Sequence, residues 1–226
     1  MEFIHVLNRG VDKRTIFLDD KDYYRFVHDL FEFNDSENVS NVNYFFNKNI
    51  DIECRYVEKK KRKLLVDIHA FCLMPNHYHI LLSPRIDGGI PIFMKKLNMG
   101  YSKYFNEKYK RTGTLFQGRY KSVQITKDAH FIHIPYYIHL NPLDIITKKW
   151  RTGDMKDTDK AIKFLQNYRW SSFLDYSGKK NFPSVTRRDF LLKFFGSPDR
   201  YIKDTIGWLK ERESINNIRS LISDLD

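Results

Sequence analysis

His77 and His79, one residue apart in Met74-Pro75-Asn76-His77-Tyr78-His79-Ile80-Leu81-Leu82, are the residues of this chain best placed to do chemistry. A Pro-Asn pair ahead of aromatic and aliphatic residues reads as a tight turn launching a buried β-strand. Residues i and i+2 of a strand point to one face, so the two imidazoles project together. On a rigid strand they form half of a divalent-metal site. Two partly buried histidines bonded to neighbouring carbonyls would show the same spacing, because histidine serves many roles. The choice between these readings depends on what else the chain supplies.

Tyr137 and Asn141 are the next candidates. Four residues apart, they share one face of a helix. If that helix crosses the sheet that carries the histidines, a phenol and a carboxamide approach the imidazole pair, an arrangement suited to nucleophilic phosphoryl transfer. A phenol with a pKa of about 10 is a weak nucleophile at neutral pH. It becomes effective when a metal polarises the phosphate it attacks. His77, His79 and the Asn141 carbonyl would then supply three protein ligands and leave positions for phosphate oxygens and water. Tyr137 could equally be a packing aromatic, like Tyr136 beside it, and spacing alone does not choose.

The elements that must position these groups can be read from periodicity. Phe3 to Leu7 alternates and ends at Asn8-Arg9-Gly10, a strand and a turn. Asp19-Asp20 opens a helix to about Phe33, with Tyr23, Phe26, Val27, Leu30 and Phe31 on one stripe. Leu64–Leu73 and His77–Ser83 form an antiparallel hairpin about the Met-Pro-Asn turn. Gly88-Gly89 precedes a long helix from about Ile92 to Lys110, and Leu115–Ile125 reads as a fourth strand. Asp128 is the expected N-cap of a helical stretch ending at Asn141-Pro142, interrupted by Pro135, which either kinks it or begins a new turn. The order β-α-β-β-α-β is that of a ferredoxin-like split βαβ antiparallel sheet with helices on one face, an α+β fold. The helix after the last strand can then cross the open face.

Composition narrows the partner. The net charge is +11, and between Lys95 and Lys127 nine basic residues face Glu107 alone. Tyr101, Tyr104, Phe105, Tyr109, Phe116 and Tyr120 interleave with them, a pattern suited to a polyanion with stackable bases. A second cluster is Lys59-Lys60-Lys61-Arg62-Lys63. A solvated charged face is the other reading of such runs. No run of about 18 uncharged apolar residues occurs, so no membrane span is expected. The start lacks the pattern of a signal peptide, and Cys54 and Cys72 lack paired-ligand spacing, which suggests reduced thiols in a cytoplasmic protein.

Four ordered motifs carry a family resemblance: Phe71-Cys72-Leu73-Met74-Pro75-Asn76-His77-Tyr78-His79-Ile80-Leu81-Leu82, Gly113 to Ser122, Tyr137-Ile138-His139-Leu140-Asn141-Pro142 and Tyr168-Arg169-Trp170-Ser171-Ser172. With the opening His5-Val6-Leu7-Asn8-Arg9-Gly10, the chain from about 3 to 178 resembles single-tyrosine HUH transposases of the insertion sequence 200-like group, and most closely the REP-associated tyrosine transposases. The resemblance implies an enzyme that cuts single-stranded DNA near palindromes folded into hairpins. A tyrosine attacks the scissile phosphate, leaving a 5′-phosphotyrosine and a free 3′-hydroxyl, and a 3′-hydroxyl later rejoins the strands. By position Tyr137 is the nucleophile, and His77, His79 and Asn141 hold Mg²⁺ or Mn²⁺. Imidazole favours softer metals, so the metal identity rests on resemblance rather than ligand chemistry.

Arg119 and Lys121 are the expected phosphate contacts beside the metal, with Lys95, Lys96 and Lys103 tracking the DNA farther out. Residues 1–150 form the expected catalytic domain and 151–226 a C-terminal helical extension. The stretch 34–63 is an excursion longer than the family's usual link. The resemblance favours a monomer over a dimer with shared active sites. The alternative function is a DNA-hairpin-binding protein of the same fold that does not cleave.

Overall fold

The computed structural model describes residues 2–37, 44–47, 51–54, 62–126 and 128–211, and of 44–47, 51–54, 128 and 129 the backbone alone. Its centre is a four-stranded antiparallel sheet of β1 (Phe3–Arg9), β4 (Val66–Met74), β5 (His77–Pro84) and β6 (Lys121–Ile125), in the order β4-β5-β1-β6. With α1 (Asp20–Glu32) between β1 and β4, and α2 (Gly89–Lys108) between β5 and β6, this is the expected split βαβ arrangement. Strands β2 (Tyr44–Asn47) and β3 (Asp51–Cys54) make a separate antiparallel pair within the 34–63 excursion. The rest of that excursion, including Lys59, Lys60 and Lys61, lies largely outside the described residues.

Both faces of the sheet are covered, which is why β5 is buried almost throughout. Tyr78, Ile80 and Leu82 face α1 and α2, packing with Phe26, Leu30, Phe93, Leu97 and Tyr101. Leu81 faces the other way, into a core with Ala70, Cys72 and Ile134, Tyr137 and Ile138 of α3 (Asp128–Leu140). Alternation therefore sends His77 and His79 to the α3 face. In β4 a bulge between Ile68 and Ala70 shifts the register, so Val66 and Ile68 before it and Phe71 and Leu73 after it share the α1/α2 side.

The Pro75-Asn76 turn is held by more than its own geometry. The Pro75 carbonyl accepts from Ile16 and Phe17 N–H, and the Asn76 carbonyl from Gly10 N–H at 2.9 Å. Gly10 is required there, since a Cβ would lie 2.4 Å from the Arg14 carbonyl oxygen.

The departures from the expected boundaries that bear on the site are three. Helix α2 begins at Gly89 rather than Ile92, because Pro91 is tolerated in a first turn. The last strand is Lys121–Ile125, not Leu115–Ile125. The regular ladder ends at the Leu7–Lys121 pair, after which the register slips by two residues: Gln117 N–H donates to the Arg9 carbonyl, Gly10 bridges Phe116, and Val11 N–H donates to the Leu115 carbonyl. Helix α3 runs on through Pro135, and Asn141 opens a 3-10 turn, Asn141–Ile145.

Beyond residue 150 the described chain is largely helical: α4 (Thr158–Leu165), α5 (Phe173–Tyr176), α6 (Asp189–Phe195) and α7 (Pro198–Lys210). These helices do not form a core of their own. Leu165, Phe173, Tyr176, Phe195, Tyr201 and Trp208 pack into the same cluster as α3 and the sheet. The segment around Trp170 also extends the β4 edge, where Leu73 N–H donates to the Trp170 carbonyl and Ser172 N–H to the Phe71 carbonyl. Trp170 itself stacks on Tyr23 of α1 at 4.7 Å.

Candidate active site

The histidine pair and Tyr137 meet on the α3 face of the sheet. The His77 and His79 rings are 5.0 Å apart, and the Tyr137 ring stands edge-on to His79 at 5.7 Å. All three side chains are buried, Tyr137 to 3% exposure.

A third histidine completes the pair. His5 of β1 is fully buried, stacked on His79, with its Nε2 3.0 Å from His79 Nδ1. His77 donates its Nδ1–H to Asn76 Oδ1 at 2.6 Å, which leaves Nε2 as the nitrogen it can offer a cation. For His79 the equivalent tautomer donates Nδ1–H to His5 and directs an Nε2 lone pair away from the strand. That Nε2 is buried with no hydrogen-bond partner, the state expected of a nitrogen reserved for a ligand.

The electrostatics keep these imidazoles neutral. Burial pushes His77 down to about 3, with the Arg9 and Arg151 charges adding to the effect. His79 is held well below its ordinary value by burial, then by His77 and His5, and burial takes His5 to about 3. Neutral nitrogens with lone pairs are what a divalent cation needs. The residues present therefore fit a metal held by His77 and His79. The third expected ligand, Asn141, is fully buried and already engaged: its Nδ2 donates to the Tyr137 carbonyl at 2.7 Å and its Oδ1 accepts from Arg151 at 3.0 Å. An amide oxygen has two lone pairs, so one stays open to a cation. Among the described residues there is no cluster of three His, Cys, Asp or Glu with metal-binding geometry.

Arg151 ties the site together from the 3-10 turn Lys149–Thr152. It grips Asp144 through Nε and Nη2 at 2.7 to 3.0 Å and donates to the Tyr137 hydroxyl at 3.3 Å. Arg9 lies opposite His77 in the strand register, and Lys121 opposite Leu7, which in turn faces His79. Opposed residues of antiparallel strands share a face, so both cations flank the site. Arg9, Lys13, Arg119 and Lys121 line a cavity of about 380 Å³. Thus two of the expected DNA contacts, Arg119 and Lys121, line one cavity with Arg9, the residue that pairs with His77. Lys95, Lys96 and Lys103 instead sit on α2, in the layer on the opposite face of the sheet. There Lys96 donates to the Asp35 and Glu37 carbonyls, and Lys103 lies 3.8 Å from Glu107.

The sequence reading gave no role to His5, Arg9 or Arg151. Period-two alternation in His5-Val6-Leu7-Asn8-Arg9 could have found the first two; nothing in the polar link around Arg151 marks it. His139 forms a different set, bonded to Tyr201 and Ser172 at 2.7 Å each. Histidine and serine there are fully buried, so their pairing is structural.

A split βαβ sheet presenting a His-x-His strand beneath a tyrosine from a crossing helix defines the class of this α+β protein. The family follows from comparison: the family model "Transposase IS200 like" matches residues 27–141, about half of the chain, and the chain belongs to that family. The match includes His77, His79, Tyr137 and Asn141 and leaves out His5 and Arg151. Among solved structures, the chain is similar to a REP-associated tyrosine transposase bound to a REP hairpin, with 12% identity over 83% of this chain and 86% of that one and a TM-score of 0.44. No curated protein matches it by sequence. Among the described residues no helix is long and apolar enough to cross a membrane.

Proposed function

We propose that this protein nicks and rejoins single-stranded DNA at hairpins, in the manner of the REP-associated tyrosine transposases, with Tyr137 as nucleophile. The observation that carries the reading is one juxtaposition: the Tyr137 ring packs edge-on to a histidine whose outward nitrogen is buried without a partner. The Tyr137 oxygen attacks the scissile phosphorus, the P–O3′ bond breaks, and the departing 3′-oxygen takes up a proton. The product is a 5′-phosphotyrosine and a free 3′-hydroxyl. Attack by a 3′-hydroxyl on that linkage reverses the step and returns the phenol, so no nucleotide is consumed.

His77, His79 and Asn141 would hold Mg²⁺ or Mn²⁺, which when bound draws charge from the phosphoryl oxygens under attack. The chain's own groups do the rest. Arg9, Arg119 and Lys121 offer cationic contacts for the flanking phosphates. Burial of Tyr137 keeps water from the linkage. The same reading takes a monomer as the active unit, located in the cytoplasm.

The test is incubation with hairpin-bearing single-stranded DNA and Mn²⁺, followed by denaturing electrophoresis. A covalent adduct is expected with the parent protein and none with Tyr137→Phe. An adduct that survives this substitution moves the nucleophile elsewhere. Salt-sensitive hairpin binding without any adduct favours a binder that does not cleave.

A further inference from the structure

We propose that Arg151 is the positioning residue of Tyr137, an inference that rests on the reading of Tyr137 as the nucleophile. A guanidinium has five N–H groups in a fixed plane. An ordinary ion pair with Asp144 would use two of them and leave the others to water. Here the same planar group also donates to the Tyr137 hydroxyl and to Asn141 Oδ1, so one side chain touches both groups that α3 and its following turn bring to the site.

The fork is fixed from behind. Both Asp144 oxygens accept from it, and Asp144 Oδ1 also accepts from Trp150 Nε1 at 2.7 Å. The Trp150 ring is fully buried, lies 5.9 Å from the Tyr137 ring and carries the Arg151 guanidinium at 4.5 Å. Tyr137 is thus bounded by His5 and His79 on one side and Trp150 on another, with its oxygen 3.3 Å from a guanidinium that Asp144 clamps. A lysine would keep the charge, but its ammonium cannot serve three acceptors in one plane. Displacing a reacting atom by about 1 Å can cost about 100-fold in rate.

Two variants test this: Arg151→Lys, and Asp144→Asn, which loosens the fork without touching Tyr137. Three quantities are read: the rate of adduct formation at saturating hairpin, the affinity for the hairpin, and the ¹⁹F resonance of 3-fluorotyrosine installed at position 137 in protein free of DNA and metal. Thermal melts check that the variants fold. For Arg151→Lys the expected result is adduct formation slowed about 100-fold, hairpin affinity within about two-fold of the parent, and a shifted or broadened resonance. Asp144→Asn should show the same split with a smaller rate loss. The double variant should be no slower than Arg151→Lys alone, because both changes act through one contact. A parent-like rate, an affinity that falls in step with the rate, additive losses or an unmoved resonance would each overturn the assignment. If the parent makes no adduct, the proposed reaction fails, while the fluorine resonance still decides whether Arg151 fixes the ring.

Discussion

If His77 and His79 hold a metal as proposed, replacing His5 with phenylalanine separates the stability of the site from its affinity for that metal. The substitution keeps a flat ring against His79 and Tyr137, where His5 sits at centroid distances of 5.2 and 6.1 Å. It deletes two nitrogens of opposite value. Losing Nε2 removes the 3.0 Å bond to His79 Nδ1 and leaves that group unpartnered, at a cost of about 1–3 kcal/mol. Losing Nδ1, which is buried without a partner, relieves a penalty of about the same size. The net change in folding free energy should stay within about 1 kcal/mol. Metal affinity has no such offset. The His79 ring loses the partner that sets its tautomer, and a change of this kind typically costs about 10- to 100-fold. The assays are urea denaturation and Mn²⁺ titration by calorimetry. Unchanged Mn²⁺ affinity in a stably folded His5→Phe protein would show that His5 does not orient a metal ligand.

Other expectations follow from the packing. His139, His69, His5 and His77 are pushed down by burial, to about 3, 4, 3 and 3. The unfolded chain, near 6.5, therefore takes up protons that the folded state refuses. Stability should be full above about pH 6.5 and fall towards pH 4, at up to about 1.4 kcal/mol per pH unit for each histidine. Urea midpoints that stay constant from pH 7.5 to 5 would contradict this, and His139→Gln should flatten the slope. Trp170→Ala empties the space between Tyr23 and Phe182 and should cost about 3–5 kcal/mol, read as a melting temperature lower by roughly 6–20 °C. Asn34→Ala should cost about 2–3 kcal/mol, because its buried amide donates to the Val66 carbonyl and accepts from Leu65 and Val66 N–H. A loss below about 0.5 kcal/mol there would mean that water replaces the amide.

What was legible in the chain was local. Pro75-Asn76 ahead of an alternating strand announced the hairpin, and period two placed His77 and His79 on one face. Element order then gave the split βαβ sheet. What escaped was non-local. Arg151 reaches acceptors at 137, 141 and 144 through a 3-10 turn that carries no periodic signal. Asn34 reads as the start of a polar loop until Val66 is placed beside it. The chain beyond 150 reads as an appendage, yet Trp170 and Ser172 complete a sheet edge formed about 100 residues earlier. Strand β6 reads longer than it is because alternation continues through Leu115 to Lys121, while its pairing with β1 slips register beyond the Leu7–Lys121 pair.

Helix α3 is wedged between the sheet and the C-terminal helices, with Tyr136 stacked on Tyr201 and Trp208 bonded to His133. An arm so held has no room to carry a tethered DNA end anywhere. On the proposed chemistry the protein is the stationary anvil, and the incoming strand must travel to the linkage. Exchange of one end for another would then depend on how readily DNA moves past the cavity lined by Arg9, Lys13, Arg119 and Lys121, and its speed would be governed by strand mobility rather than by any swing of the enzyme.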